Sequence, residues 1–158
     1  MNMLRFRFSA FLNQRNRKHG CLTGVFFAVI ANFVQAAPGD TAMTQIFFQL
    51  DGHEVGIVLD DNDATRDLLT LLPQQLDWDD YGNVEKISYL SRKISTQGTP
   101  DGYTPAKGDF AYYAPWGNIV IFCKAFSYSP GLIKLGHVDT GFDEACRKGK
   151  YTVEMKIR

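Results

Sequence analysis

The sequence predicts a mainly β domain, closed as a barrel, with one substantial α-helix packed on it. Three observations carry this. Apolar and polar residues alternate in several short runs, the period of a half-buried strand. Asp-Gly, Pro-Trp-Gly and Ser-Pro-Gly turn signals punctuate those runs. One stretch alone combines helical spacing with a start and a stop signal. Barrels and sandwiches both use short strands of this kind, and closure removes the exposed edges that invite aggregation.

The first strand is "TQIFFQL", in which Ile46, Phe48 and Leu50 alternate with Gln45 and Gln49. Asp51-Gly52 follows, a strong hairpin signal because both turn positions need positive φ. The return strand "HEVGIVL" places Val55, Ile57 and Leu59 on one face. "DDNDATRDLLTLLP" then reads as the helix. Asn62 or Asp63 caps it, Ala64, Leu68, Leu71 and Leu72 share a face, and Pro73 stops it. "QLDW" and "NVEKISYL" are short strands around the turn "DDYGN", and residues 91–108 form a long irregular connection with two prolines and three glycines. "FAYYA", "NIVIFCK" and "LIKLGHV" are further strands. The closing strand "YTVEMKIR" turns Tyr151, Val153, Met155 and Ile157 inward. The apolar run Ile119–Cys123 needs cover on both faces. One face looks into the barrel, and Leu68, Leu71 and Leu72 of the helix are expected to cover the other.

Ahead of this domain, residues 1–37 have the three parts of a secretory signal. Arg5, Arg7, Arg15, Arg17 and Lys18 supply positive charge, "CLTGVFFAVIANFV" is a short apolar run, and Ala36 and Ala37 offer a cleavage site. The run is shorter than the ~20 residues of a spanning helix. The expected destination is the periplasm or the exterior, with an uncleaved membrane anchor as the alternative. Residues 38–43 read as a flexible lead-in, and 44–158 as one domain.

Removing 1–37 changes the electrostatics. The whole chain balances 17 basic against 17 acidic residues, and five basic but no acidic ones precede Pro38. The remainder carries a net charge of about −5 by formal counting. A mildly acidic domain is a poor partner for nucleic acid and for anionic membrane surfaces, so no nucleic acid and no stable membrane association are expected after processing. Cys123 and Cys146 survive processing. An oxidising compartment permits a disulfide between them, while Cys123 as a buried small hydrophobe and Cys146 as an unrelated thiol is the other reading.

The most unusual stretch is "GDFAYYAPWGNIVIFCKAFSYSPGLIKLG". Pro115-Trp116-Gly117 fits a three-residue hairpin connection, with proline pre-setting φ and glycine taking the left-handed position. The aromatics divide. Phe110 or Ala111, Tyr112 or Tyr113, and Phe122 serve the core, while Trp116, Phe126 and Tyr128 lie near a rim. Trp116 clustered with Tyr103 or Tyr128 would make a binding groove.

Three segments, "EKISYLSRKIST", "GYTPAKGDFAYYAPWGNIVIFCKAFSYSPGLIKLGHVDTG" and the helical "NDATRDLLTLLP", resemble the bacterial cyclophilin-like domain family, over nearly the whole of the expected mature chain, from near Ile46 to near Ile157. The Tyr-Tyr-x-Pro-Trp-Gly-Asn string is its most specific part. The resemblance implies a closed barrel similar to cyclophilin with a helix packed against it. It implies no particular activity, since the family has no established general function.

Cyclophilins are prolyl isomerases, and that chemistry needs an apolar pocket for the proline ring and a donor, usually an arginine, to weaken amide resonance. The active enzymes carry the arginine in a Phe-His-Arg string. Here no Phe precedes a His. Arg92, at the start of the long loop, is the candidate donor, facing a groove lined by Trp116, Phe110 or Phe122. Other chemistries find less. His53 and His137 are isolated, Ser127 and Ser129 lack a nucleophile elbow, and the acidic residues show neither metal-ligand clustering nor a calcium-loop pattern. No metal and no cofactor are expected. The reading is an exported, non-catalytic module that binds an unknown peptide, protein or small molecule through Trp116, Tyr103, Tyr128, Phe126 and Arg92; the alternative is a weak or specialised prolyl isomerase using Arg92.

Overall fold

The computed structural model describes residues 43–158, so the export segment 1–37 and most of the lead-in lie outside the described residues. Eight antiparallel strands close into a barrel. In chain order its strands are β1 (Gln45–Leu50), β2 (His53–Leu59), β3 (Gln74–Tyr81), β4 (Glu85–Tyr89), β6 (Asp109–Tyr113), β7 (Asn118–Phe122), β9 (Leu132–Thr140) and β10 (Tyr151–Ile157). Around the barrel they run β1-β10-β3-β4-β7-β6-β9-β2. The two-residue strands β5 (Gly102–Tyr103) and β8 (Ser129–Pro130) pair in a separate ribbon. Helices α1 (Asp63–Leu69) and α2 (Phe142–Ala145) complete the domain.

The first hairpin forms as its turn dictates. Asp51 (φ 51°) and Gly52 (φ 84°) are both left-handed, and Ile46 faces Ile57 across it. Period-two alternation then sends one side of each strand inward. Phe48, Trp78 and Tyr151 stack at the centre, with ring centroids 6.3–6.5 Å apart. Phe110, Tyr112, Ile119, Ile121, Val153 and Met155 fill the remainder. Ile157 departs from its predicted inward place. It pairs with Ile46 but stands at the mouth of the barrel, 47% exposed, where no further layer covers it.

One interior position is charged. Lys86 is 1% exposed, and its Nζ donates to Asp80 Oδ1 at 2.8 Å and to the carbonyl of Gly149 at 2.6 Å. Gly149 N–H in turn donates to Asp80 Oδ2 at 2.7 Å. Two of the three ammonium N–H groups thus have oxygen acceptors and the Tyr151 ring lies 4.7 Å from Nζ, so the buried charge is paired, as its burial requires.

The helix is short rather than substantial. Asn62 caps α1 through a reciprocal box with Thr65: Thr65 N–H donates to Asn62 Oδ1 at 2.9 Å, and Asn62 N–H to Thr65 Oγ1 at 3.1 Å. Seven residues later the helix tightens into i+3 turns at Thr70, Leu71 and Leu72. Pro73 disfavours helical backbone at Leu72 and offers no N–H of its own, so its influence reaches back along the chain. Nor does α1 cover the outer face of β7. Ala64 and Leu68 join the main interior cluster, with Leu71 and Leu72 packed at its margin. The outer face of β7, Val120 and Phe122, packs instead with Ala111 and Leu132 and with Val84, Ile87, Tyr103 and Tyr113. The barrel's own outward residues and the β5 segment supply the cover.

Cys123, just past β7, and Cys146, at the end of α2, form a disulfide with Cα atoms 5.6 Å apart. It ties the segment before β10 to the wall of the barrel.

Candidate functional site

The outward face of β7 leads to the site. Asn118, Val120 and Phe122 point away from the interior, and register places Glu85 opposite Phe122 and Tyr113 opposite Asn118. The β6–β7 connection carries Trp116 over this face. It spans the four residues Ala114–Gly117 rather than three. Gly117 N–H closes it on the Tyr113 carbonyl at 2.9 Å, and Gly117 adopts φ 75°. A side chain there would be strained by that φ and would also press on the stem of Lys93, whose Cγ would lie 3.1 Å from the added Cβ.

A second turn forms the opposite wall. Phe126 N–H donates to the Pro105 carbonyl at 3.1 Å, and Ser129 pairs with Tyr103. Gly131 links the two turns. Its carbonyl accepts from Ala114 N–H at 2.9 Å, and a Cβ at this position would meet Pro115 Cδ at 2.9 Å.

Between the turns lies a cavity of about 280 Å³. Tyr81, Tyr113, Trp116, Phe126 and Tyr128 supply aromatic walls, and Val120, Phe122 and Leu132 an apolar floor. Trp116 meets Tyr113 edge to face, with centroids 5.4 Å apart. Tyr81, Trp116, Phe126 and Tyr128 are all about half exposed. Besides the tyrosines, three polar side chains line the cavity: Asn118, Glu85 and Ser129, whose hydroxyl donates to the Ser127 carbonyl at 3.2 Å. Asn118 is buried, and its Oδ1 has no hydrogen-bond partner. Glu85 is half-buried, and burial alone pushes its carboxyl above the ordinary carboxylate range.

The structure brings three of the sequence candidates together: Trp116, Phe126 and Tyr128. It sets two apart. Tyr103 lines a smaller cavity with Asp60, Asn62, Pro100 and Lys134. Its hydroxyl is unpartnered, and burial, then the charge of Asp109, raises its pKa. Arg92 lines neither cavity. Its guanidinium donates to Asp67 Oδ1 at 2.6 Å and Oδ2 at 3.0 Å, and to Thr70 Oγ1 at 2.9 Å. The expected groove facing Arg92 is therefore corrected: a bidentate ion pair with α1 holds that side chain. Phe110, the other proposed groove residue, is wholly interior. Of the 91–108 loop, Lys93 supports the Trp116 turn from behind, and no loop residue lines the aromatic cavity. His53 and His137 are exposed.

Sequence reasoning missed Tyr81, Tyr113, Glu85 and Asn118 as cavity residues. Their one signal is alternation, which puts Asn118 on the same face as Phe122 and Glu85 on the opposite face from Lys86. Which strands meet is decided by closure.

Among the described residues no helix is long and apolar enough to cross a membrane, and no three or more His, Cys, Asp or Glu residues gather as a metal site. No curated protein sequence matches the chain. A solution structure of a hypothetical protein from Archaeoglobus fulgidus shares the fold, with a TM-score of 0.55 at 13% identity, covering 72% of this chain and 94% of that one. The family model described as the cyclophilin-like family matches residues 48–158. The chain belongs to the cyclophilin-like family.

Proposed function

We propose that this protein is an exported, non-catalytic binding module that holds a peptide or small ligand in the aromatic cavity beside Trp116. The carrying observation is that cavity: five aromatic side chains around an apolar floor, with an unpartnered buried Asn118 acceptor at its edge. Concave, mainly apolar sites with a few polar groups are where small ligands bind. At about 280 Å³ it lies just below the roughly 300–1,000 Å³ range of such sites. It fits one side chain or a small molecule.

Export is supported by the Cys123–Cys146 disulfide, a bond that persists in oxidising compartments. The acidic balance of the domain supports a partner other than nucleic acid or an anionic membrane. For the isomerase alternative, Arg92 would have to leave Asp67 and reach a cavity it does not line. No arginine or lysine stands in the aromatic cavity in its place.

The test is an amide-resolved NMR map with a mixed set of neutral, anionic and cationic fragments and short proline peptides. Shifts clustered on Asn118, Val120, Phe122 and the Trp116 indole are expected for at least one class. Shifts absent from this face for every class would overturn the reading. Acceleration of prolyl isomerisation that is lost in Arg92→Ala would restore the enzyme.

A further inference from the structure

Resting on that reading, we infer that the cavity selects an alkylammonium cation, held against its aromatic walls with Glu85 as counter-ion.

Charge is the first observation. Among the cavity's lining residues Glu85 alone is ionisable in the ordinary range, and it is an acid. It makes no salt bridge and no side-chain hydrogen bond among the described residues. Glu85 also borders a second cavity that holds Lys86, Lys124 and Lys148. Lys86 is committed to Asp80 on the interior side of β4, and neither Lys124 nor Lys148 forms an ion pair with Glu85. A half-buried carboxylate without a counter-ion loses hydration with nothing in return, and the raised carboxyl pKa has burial as its one cause.

Ring geometry is the second. Trp116 stands at 83° to Tyr81 and at 78° to Tyr113. Perpendicular ring planes form a corner, the arrangement by which aromatic faces surround a quaternary or methylated ammonium. The described cation–π contacts use Tyr151, Phe142 and Phe47, with Lys86, Lys107, Arg147 and Arg158 as cations. None uses a ring of this cavity. Tyr81, Trp116, Phe126 and Tyr128 are each about half exposed, beside a negative group and without a cation from the described residues.

Polarity is the third. Asn118 lines the cavity, and its Oδ1, buried and unpartnered, is an acceptor. Glu85 offers acceptors as well. With a carboxylate, the dipole of a buried, unpartnered amide oxygen behind the wall and aromatic rings, the site presents negative potential to its contents. A neutral proline ring or an anion would leave the Glu85 charge unanswered.

The cation has two possible carriers, a free small amine or the side chain of a methylated lysine. Calorimetry with choline, with its neutral isostere 3,3-dimethylbutan-1-ol, and with a short trimethyllysine peptide separates these, using the disulfide-bonded protein. Choline should bind at least about tenfold more tightly than the alcohol, the scale of a desolvated cation–π site. Glu85→Gln should remove most of that preference. Trp116→Leu should weaken choline while leaving the fold intact, and serves if Glu85→Gln does not fold. Tighter binding of the peptide than of choline assigns a polypeptide-borne cation, and the reverse assigns a free amine. Equal affinity for choline and the alcohol overturns the cation inference but leaves a ligand site beside Trp116. No binding of either ammonium probe at tens of millimolar also overturns it, and the NMR map then decides separately whether the cavity binds anything.

Discussion

The Trp116 indole meets the Tyr81 ring edge to face, with centroids 5.3 Å apart and planes at 83°. The contact joins the β6–β7 turn to the end of β3 across the outside of the barrel, yet Trp116 keeps 46% of its surface exposed. Its indole contributes little to folding and much to the cavity. Trp116→Ala should cost about 1 kcal/mol, the scale of an aromatic pair. Trp78→Ala, at the buried centre of the Phe48–Trp78–Tyr151 stack, should cost about 3–5 kcal/mol. Urea unfolding checks both, and equal costs would place Trp116 in the core.

The Lys86–Asp80 pair gives an asymmetric expectation. Asp80→Asn strands an ammonium that is 1% exposed, and breaking such a pair costs roughly 2–4 kcal/mol, somewhat below a fully buried case because Asp80 is 35% exposed. Lys86→Met should cost less, since the carboxylate left behind still reaches water. Chemical denaturation of the two variants side by side checks the order.

Asp67 predicts an acid limb in stability. The Arg92 side chain, then the Ser95 N–H, holds its carboxyl down to about 2, against 3.8 ordinarily. Below the ordinary value the unfolded chain binds the proton first, so stability is present above about 3.8 and is lost as pH falls toward 2. Asp79 and Asp80 are also lowered and act in the same sense. Asp67→Asn should flatten this limb in part, as read by thermal melts from pH 5 downward.

Reduction of Cys123–Cys146 should lower stability by about 3 kcal/mol in the chain-entropy model for a loop of this length. Unfolding midpoints with and without reductant check it, and a Cys123→Ser, Cys146→Ser double variant should match the reduced protein.

What the sequence displays and what it hides divide by locality. The Asp51-Gly52 hairpin is legible because the turn chemistry and the alternation on both sides lie within one short segment. The sequence predicts a longer α1 than forms because Leu71 and Leu72 continue the apolar spacing, whereas the restraint from Pro73 acts backward on them. Trp116 and its turn were legible through Pro115 and Gly117. Glu85 and Asn118 were not, because their meeting depends on β4 pairing with β7. The pairing of Arg92 is not legible in the sequence because Asp67, 25 residues away in the chain, gives no local sign that it will capture the guanidinium.

The most direct measurement is the change in Trp116 fluorescence and indole N–H shift as choline is added to the wild-type protein, with the buried Trp78 as internal control. A saturable response at Trp116, absent at Trp78 and weakened in Glu85→Gln, is the predicted result. An unmoved Trp116, with shifts appearing elsewhere or not at all, would contradict a cation-selective site at this cavity.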